Sequence, residues 1–231
     1  MKKLPLAAFI STIAAFSSMT HAHQAGDIIL RAGAAHVAPS NVSSSTITKD
    51  SSSLGAKVDS INSNTQLGLT GTYMLTDNIG IELLAATPFK HTIKGKGGTL
   101  DSLGISELGT TKHLPPTLSV QYFPLDNDSK FQPYVGVGLN YTNFFSEEAD
   151  DSLTTTLGQE FDLELKNSWG VAAQAGLDYE ITDNIMVNAA IWYIDIKTEA
   201  TFTGKNDGSK IEADNVSIDP LVYMLGIGYK F

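Results

Sequence analysis

The chain has 231 residues, a formal net charge of −10 and no cysteine. Its length is sufficient for one domain with a sizeable interior. The lack of cysteine excludes disulfides and thiolate metal sites, and the acidic balance excludes a nucleic-acid partner because no basic stripe is present to contact phosphates.

The first 22 residues have the pattern of a secretory signal peptide. Lys2 and Lys3 precede a short apolar run over residues 4–16, and Ala22 is the small residue that signal peptidase requires. The run is too short to cross a membrane as a helix, and no other long apolar stretch follows it. We therefore expect cleavage near Ala22 and a mature chain over 23–231.

Eight segments of the remaining chain alternate with a period of two, which predicts β-strands. Each segment is bounded by turn residues or by a polar loop. In chain order the predicted strands are residues 26–37, 65–75, 79–89, 114–123, 133–145, 168–181, 185–196 and 220–231.

The connections between these strands alternate in length. The short ones are rich in Asp and Asn, which tolerate tight backbone geometry, and the long ones are rich in Ser, Thr, Gly and charged residues. Short turns at one end and long loops at the other predict an all-β protein, an eight-stranded antiparallel up-and-down transmembrane β-barrel with periplasmic turns and extracellular loops. The short turns are residues 76–78, 124–130 and 182–184, and the long loops are about 38–64, 90–113, 146–167 and 197–219.

The two faces of the predicted strands differ in chemistry. Alternate residues of a strand point to opposite faces. The residues of one face, which we call the apolar set, carry no formal charge through the central stretch of the strands. The residues of the other face include charged side chains, amides and many glycines. A lipocalin-like barrel with an apolar cavity and an outer-membrane barrel with an apolar outer face both fit this division. Glycine is unfavourable on a solvated face but fits the crowded interior of a small closed barrel. A charge on the lipid face would cost about 2–4 kcal/mol at mid-bilayer, and the central apolar set has none.

Aromatic residues of the apolar set cluster at both ends of the strands. The two groups lie about ten residues apart, which at roughly 3.3 Å per residue and a tilt of about 40° matches the ~25 Å lipid-facing band of an outer-membrane barrel. We therefore expect the apolar set to face lipid in the outer membrane of a Gram-negative cell. The group near the short turns is Tyr73, Tyr122, Tyr179, Tyr229 and Phe231, and the group near the long loops is Tyr141, Trp169, Tyr193 and Tyr223.

The last strand is apolar on one face up to its final residue, Phe231. A closed barrel allows this because lipid covers that face and the first strand pairs with the free edge. The terminal aromatics Tyr229 and Phe231 also resemble the signal that the outer-membrane assembly machinery reads in outer-membrane proteins in general.

Four stretches of the chain resemble the OmpW family of Gram-negative outer-membrane proteins, and the resemblance extends over residues 23–231, with departures mainly in the acidic loop 146–166. It implies a barrel with a narrow, partly hydrophobic lumen and a role in passing small hydrophobic molecules across the outer membrane. Family members are also linked to stress adaptation and to reception of bacteriocins or phage. The stretches are NTQLGLTGTYMLTDNIGIELLAATPFKH, HLPPTLSVQYF, KFQPYVGVGLNYTNFF and SWGVAAQAGLDY.

Parity places two groups of side chains in the lumen, which in an eight-stranded barrel is too narrow for a general porin. One group is a polar plug with two charges of each sign, and the other is a hydrophobic gate nearer the loops. We hypothesise that the upper chamber admits a hydrophobic solute, which then leaves sideways into the membrane. The alternative is that these side chains only fill space and neutralise one another. The plug residues are Arg31, Glu82, Asp178 and Lys230, and the gate residues are Leu84 and Trp192.

The sequence predicts no enzyme, metal site or cofactor. The five histidines have no paired spacing, and no Ser/His arrangement lies on a strand. The acidic run 147–151 favours a solvated loop over a site for divalent cations. The expected partners are outer-membrane lipid and lipopolysaccharide, the assembly machinery and small hydrophobic solutes. The alternative function is a non-conducting structural or receptor barrel whose loops bind a bacteriocin, phage or host surface.

Overall fold

The structure is a computed structural model that describes residues 23–126 and 128–231; the predicted signal peptide lies outside the described residues. These residues form fifteen β-strands and two short α-helices. The strands are β1 (Ile28–Pro39), β2 (Ile47–Lys49), β3 (Ser52–Ile61), β4 (Asn64–Met74), β5 (Ile79–Ala86), β6 (Phe89–Lys96), β7 (Glu107–Leu114), β8 (Thr117–Tyr122), β9 (Phe131–Ala149), β10 (Phe161–Leu165), β11 (Ser168–Glu180), β12 (Ile185–Ile194), β13 (Lys197–Gly204), β14 (Lys210–Ser217) and β15 (Pro220–Lys230), and the helices are α1 (Gly98–Leu103) and α2 (Asp151–Leu157).

Eight of the described strands close into an antiparallel barrel. Around the barrel the order is β1, β4, β5, β8, β9, β11, β12 and β15, and β15 pairs again with β1. In this closing register Ile29 lies opposite Lys230 and Pro39 lies opposite Pro220, so the first and last strands pair over nearly their full length. The predicted eight-stranded antiparallel barrel is confirmed.

Most strand boundaries differ from the predicted ones by one to four residues, and two of these differences have a clear structural cause. The fourth barrel strand, β8, begins at Thr117 and not at residue 114, because Pro115 and Pro116 separate it from β7. Proline has no N–H to donate and therefore ends the ladder there. The fifth, β9, continues to Ala149, because its last residues leave β8 and pair with β7.

The four long connections form regular structure at the end of the barrel opposite the short turns, which we call the loop end. Seven strands from these connections extend the barrel in the order β10, β13, β14, β2, β3, β6, β7, and β7 joins the upper part of β9. We call this region the extension. Helices α1 and α2 place Leu100 and Leu153 in its interior. These segments have the pattern of loops in the sequence because their outward faces carry Lys, Glu, Ser and Thr, which obscure the inward apolar residues.

Exposure alternates along the barrel strands as the parity of the sequence predicts. The outer face is apolar, with Trp169 75% and Ile227 64% exposed, whereas Arg31 and Asp178 are 1% and 0% exposed. Most of the strand-end aromatics, including Tyr73 and Tyr223 at opposite ends, also point outward. No helix among the described residues is long and apolar enough to span a membrane.

Glycine makes room for bulky side chains in the lumen. At Gly176 on β11, a Cβ atom would overlap the ring of Tyr134, which projects inward from β9. Tyr134 is 2% exposed. The barrel interior is therefore filled with side chains, as expected for eight strands.

Candidate functional site

A buried ionic cluster occupies the lumen near the short turns. The Nε atom of Arg31 on β1 donates to Oδ1 of Asp178 on β11 at 2.9 Å, and Nη2 donates to Oδ2 of the same carboxylate. Nη1 of Arg31 donates to Thr72 Oγ1 at 2.8 Å and to Glu82 Oε2 at 3.3 Å. These three charged side chains, which we call the Arg31 cluster, are each at most 1% exposed. Buried charges are tolerated when they are paired and hydrogen-bonded in this way.

Further polar residues complete the Arg31 cluster. Asn188 Nδ2 donates to Asp178 Oδ1 at 2.8 Å and to the Tyr134 hydroxyl at 3.0 Å. The Tyr134 ring centroid lies 5.4 Å from Cζ of Arg31, and His23 Nε2 lies 3.7 Å from Asp178 Oδ2. The residues predicted to lie in the lumen include neither Tyr134 nor His23. Tyr134 could have been found, because it shares its parity with the inward-facing glycines of the same strand.

The four predicted plug residues all lie in the interior, but their predicted pairing is incomplete. Lys230 Nζ forms an ion pair with Glu180 Oε1 at 3.1 Å, and both side chains are at most 10% exposed. Glu180 was not among the predicted residues, although it lies two positions after Asp178 on the same face of β11. The interior therefore holds three carboxylates and two cations in this region, and not two charges of each sign.

Leu84 and Trp192, the predicted gate residues, are buried in the lumen on the loop-end side of the Arg31 cluster. Their exposed fractions are 4% and 0%. Leu84 follows Glu82 by two residues on β5, and Trp192 follows Asn188 by four on β12; both strands run from the short turns toward the loop end. The lumen thus changes from ionic to uncharged along its length, and Leu84 and Trp192 lie beside the buried polar residues Thr117 and Gln174 of the neighbouring strands.

Two apolar cavities lie beyond these residues, inside the extension. One has a volume of about 20 Å³ and lies among strands β3, β6, β7 and β14. The other has a volume of about 60 Å³ and lies under α1 and α2. We call them the histidine cavity and the helix cavity. Residues lining the histidine cavity include Val37, Val58, His91, His113, Phe144 and Val216, and those lining the helix cavity include Leu54, Leu100, Leu153, Leu157, Phe202 and Ile211.

His91 and His113 are brought together by the pairing of β6 with β7, although their spacing in sequence indicates no relationship. Their ring centroids are 4.9 Å apart and their planes differ by 11°. Phe89 and Phe144 pack against His113 at 5.5 and 5.9 Å. His91 Nδ1 is 2.6 Å from the backbone oxygen of Asn62. The sequence contains no signal for this stack, because the stack depends on the register between two strands of the predicted loop 90–113.

The histidine stack lies in the extension. Burial there favours the neutral form of both rings. Burial lowers the pKa of His113 to about 3, and the neighbouring His91 lowers it further. Burial also lowers the pKa of His91, although its hydrogen bond to Asn62 partly opposes this. Among the residues that the structure describes, no group of three or more His, Cys, Asp or Glu side chains could hold a metal ion.

Comparisons with known proteins agree with this architecture. The model of the OmpW family matches residues 24–231. The chain is 48% identical to Outer membrane protein W of Vibrio cholerae, with 96% of this chain and 97% of that protein covered. It is 46% identical to Outer membrane protein W of Escherichia coli K12, with both chains fully covered.

A solved structure shows the same fold. The crystal structure of the outer membrane protein OprG from Pseudomonas aeruginosa superposes with a TM-score of 0.79 at 44% identity, covering 90% of this chain and 97% of that one. With a family match over nearly the whole described chain and a barrel whose apolar face points outward, the chain belongs to the OmpW family and is a β-barrel protein of the Gram-negative outer membrane.

Proposed function

We propose that this barrel passes small hydrophobic molecules across the outer membrane, with entry through the extension on the extracellular side. The observation that carries the proposal is the apolar lining of the helix cavity and the histidine cavity, which lie on the same side of the Arg31 cluster as the buried side chains of Leu84 and Trp192. An apolar solute gains free energy on leaving water for such surfaces, at about 25 cal/mol per Å² of apolar area that it buries.

The Arg31 cluster supports an exit that does not follow the barrel axis. An apolar solute that moved straight down the lumen would have to separate Arg31 from Asp178, which lie in contact across it. Breaking a buried ion pair leaves uncompensated charge and costs about 3–5 kcal/mol. We therefore propose that Leu84 and Trp192 form a gate above a polar plug, and that the solute leaves sideways into the membrane.

The test is uptake of a small hydrophobic probe by cells that lack the protein and are complemented with variants. Leu84→Asn combined with Trp192→Asn places two amides in the proposed path and should abolish the uptake that wild type restores. A matched control is Leu125→Asn, because Leu125 is an exposed apolar residue in a short turn, far from the lumen path. Heat-modifiability on gels must show that all variants reach the outer membrane in folded form and equal amount.

The result decides between two classes of function. Uptake that depends on Leu84 and Trp192 but not on Leu125 supports passage through the lumen. Equal uptake by wild type and the lumen variant contradicts it. That result would favour the non-conducting structural or receptor barrel, whose partner-binding residues would lie in the extension.

A further inference from the structure

Two pairs of lysines face each other on the outer surface of the extension. Lys90 on β6 lies opposite Lys112 on β7, and Lys96 on β6 lies opposite Lys57 on β3. All four side chains are exposed. Like charges at directly opposite positions of two strands repel each other and weaken the pairing. The chain has 25 acidic and 15 basic residues, so two such pairs on one face indicate an anion from outside the chain.

The protein supplies no counter-ion for these two pairs. Within the part of the chain that the structure describes, none of the four lysines forms an ion pair, whereas Lys94 on the same face pairs with Glu107 at 3.3 Å. Asp59 lines the same surface depression as Lys57 and Lys96 and forms no ion pair with either of them. The four ammonium groups are therefore available to a ligand.

Lys90 and Lys112, which we call the proximal pair, lie just beyond the aromatic belt of the barrel. Lys112 lies opposite Phe145 on β9, and Phe145 follows Tyr141 by four residues, which is about 13 Å of strand. Tyr141 packs against the exposed ring of Trp169 at 4.8 Å. Such aromatic residues lie at the boundary between the lipid and the water. The proximal pair is therefore at the depth of the phosphates of the outer leaflet.

Lys57 and Lys96, which we call the distal pair, lie farther from the membrane and border a surface depression. Lys96 follows Lys90 by six residues on β6, which is about 20 Å of strand. The depression has a volume of about 380 Å³ and is also lined by Ser43 and Ser44. Its ammonium and hydroxyl groups are hydrogen-bond donors, and its size is sufficient for a phosphorylated sugar.

The two depths distinguish between the lipids of an outer membrane. A glycerophospholipid carries its phosphate at one depth only. Lipopolysaccharide carries phosphates on the two sugars that bear its acyl chains, and further phosphates on the core sugars outside them. Two lysine pairs separated along β6 match the second arrangement.

We propose that the outer face of β3, β6 and β7 binds lipopolysaccharide. The proximal pair contacts a phosphate of the lipid anchor, and the distal pair contacts a phosphate of the core. Side chains at opposite positions have Cβ atoms about 5 Å apart, so both ammonium groups of a pair can donate to one phosphate. Binding removes the repulsion within each pair and fixes the extension to the outer leaflet. It does not involve the lumen and goes beyond the proposed passage of solutes.

The experiment measures lipid binding to the folded protein in neutral detergent by native mass spectrometry. Three probes are compared: lipopolysaccharide with a phosphorylated core, the same lipopolysaccharide after enzymatic removal of its phosphates, and phosphatidylglycerol. EDTA removes divalent cations, which would otherwise join the phosphates to acidic side chains.

Two variants with the same change in net charge are compared with wild type. The control replaces exposed lysines that form ion pairs with carboxylates elsewhere in the loop-end region. Heat-modifiability on gels must show that both variants are folded. The face variant combines Lys90→Gln, Lys96→Gln and Lys112→Gln, and the control combines Lys166→Gln, Lys197→Gln and Lys205→Gln.

We expect wild type to bind intact lipopolysaccharide at least about ten-fold more tightly than either other probe, because each lysine near a lipid phosphate contributes roughly five-fold in affinity. The face variant should lose at least about ten-fold in affinity for intact lipopolysaccharide, and the control less than about two-fold. An unchanged face variant, or equal losses in the two variants, would overturn the site. Phosphatidylglycerol or dephosphorylated lipopolysaccharide binding as tightly as the intact lipid would overturn the assignment of the ligand.

Discussion

The guanidinium of Arg31 and the carboxylate of Asp178 meet inside the lumen although their strands do not pair. Nε of Arg31 lies 2.9 Å from Oδ1 of Asp178, while β15 and β12 separate β1 from β11 around the barrel wall. The contact therefore spans the lumen and joins two strands that lie three positions apart around the wall. The contact also closes the lumen near the short turns, because the two charged side chains meet across the barrel axis.

Replacing Arg31 with Met should destabilise the barrel by about 3–5 kcal/mol, because Asp178 and Glu82 would remain as buried carboxylates without their cation. Urea-induced unfolding in lipid vesicles measures this difference. Adding Asp178→Asn and Glu82→Gln to the Arg31→Met variant should restore much of the lost stability, since the uncompensated charge is then removed. A stable single variant, or a triple variant no better than the single one, would show that the cluster has no such role.

Gly176→Ala should destabilise the protein by about 1–3 kcal/mol, because the added Cβ atom overlaps the ring of Tyr134 and forces it to move. The matched control is Gly71→Ala. A Cβ atom there would lie 3.4 Å from Cδ2 of Leu30, an ordinary contact, and the change should stay within about 0.5 kcal/mol. The same unfolding measurement compares the two variants, and equal losses would argue against the close packing of Tyr134 on Gly176.

Lowering the pH should reduce the stability of the extension, because His91 and His113 are buried there. Their pKa values are lowered in the folded state, to about 3 for His113, so the unfolded chain binds more protons below about pH 6.5. The contribution of the neutral rings is complete above that pH and is lost progressively as the pH falls toward the folded-state values, by at most about 1.4 kcal/mol per pH unit for each histidine. No charged side chain lines their cavity to offset this loss.

The measurement is the rate of protease cleavage in the extension between about pH 7 and about pH 4, using a protease active over that range. Wild type should become more susceptible as the pH falls, whereas a variant with both His91→Phe and His113→Phe should show a flatter dependence. Parallel pH profiles for the two proteins would assign the acid effect to other groups.

The terminal aromatic should matter for assembly more than for final stability. The backbone N–H of Phe231 donates to the Ile28 oxygen at 2.9 Å, and its ring packs edge-on against Tyr229 at 4.6 Å on the outer face. Phe231→Ser should reduce the amount of folded protein in the outer membrane several-fold while lowering the stability of assembled protein by less than about 1 kcal/mol. Leu125→Ser, in a short turn, is the control. Normal levels of the Phe231 variant would contradict an assembly signal at this position.

The barrel itself could be predicted from sequence because its determinants are local. A period of two places Glu82 and Leu84 on one face and Ile81 and Leu83 on the other, whatever strand lies beside them. Lipid and lumen impose different chemistry on those faces, so parity alone distinguishes inside from outside. The exposures of Leu83, 51%, and Leu84, 4%, follow this division.

The extension could not be predicted in the same way. Its strands are short and carry polar residues on the outer face. In β6, for example, Lys90, Lys94 and Lys96 give the sequence the pattern of a charged loop. The inward residues of β6, Phe89, His91 and Ile93, are buried only because β3, β7 and the upper part of β9 complete the surrounding sheet. That pairing joins segments far apart in the chain, and no local pattern encodes it.

The sequence by itself determined the number of barrel strands, their faces and the presence of charged and apolar groups in the lumen, because alternation is a property of each strand alone. Only the tertiary structure decided which side chains contact one another across different strands. It paired Lys230 with Glu180, set Tyr134 over Gly176 and stacked His91 on His113. These contacts depend on the stagger between strands and on the closure of the barrel, which are collective properties of all the strands together.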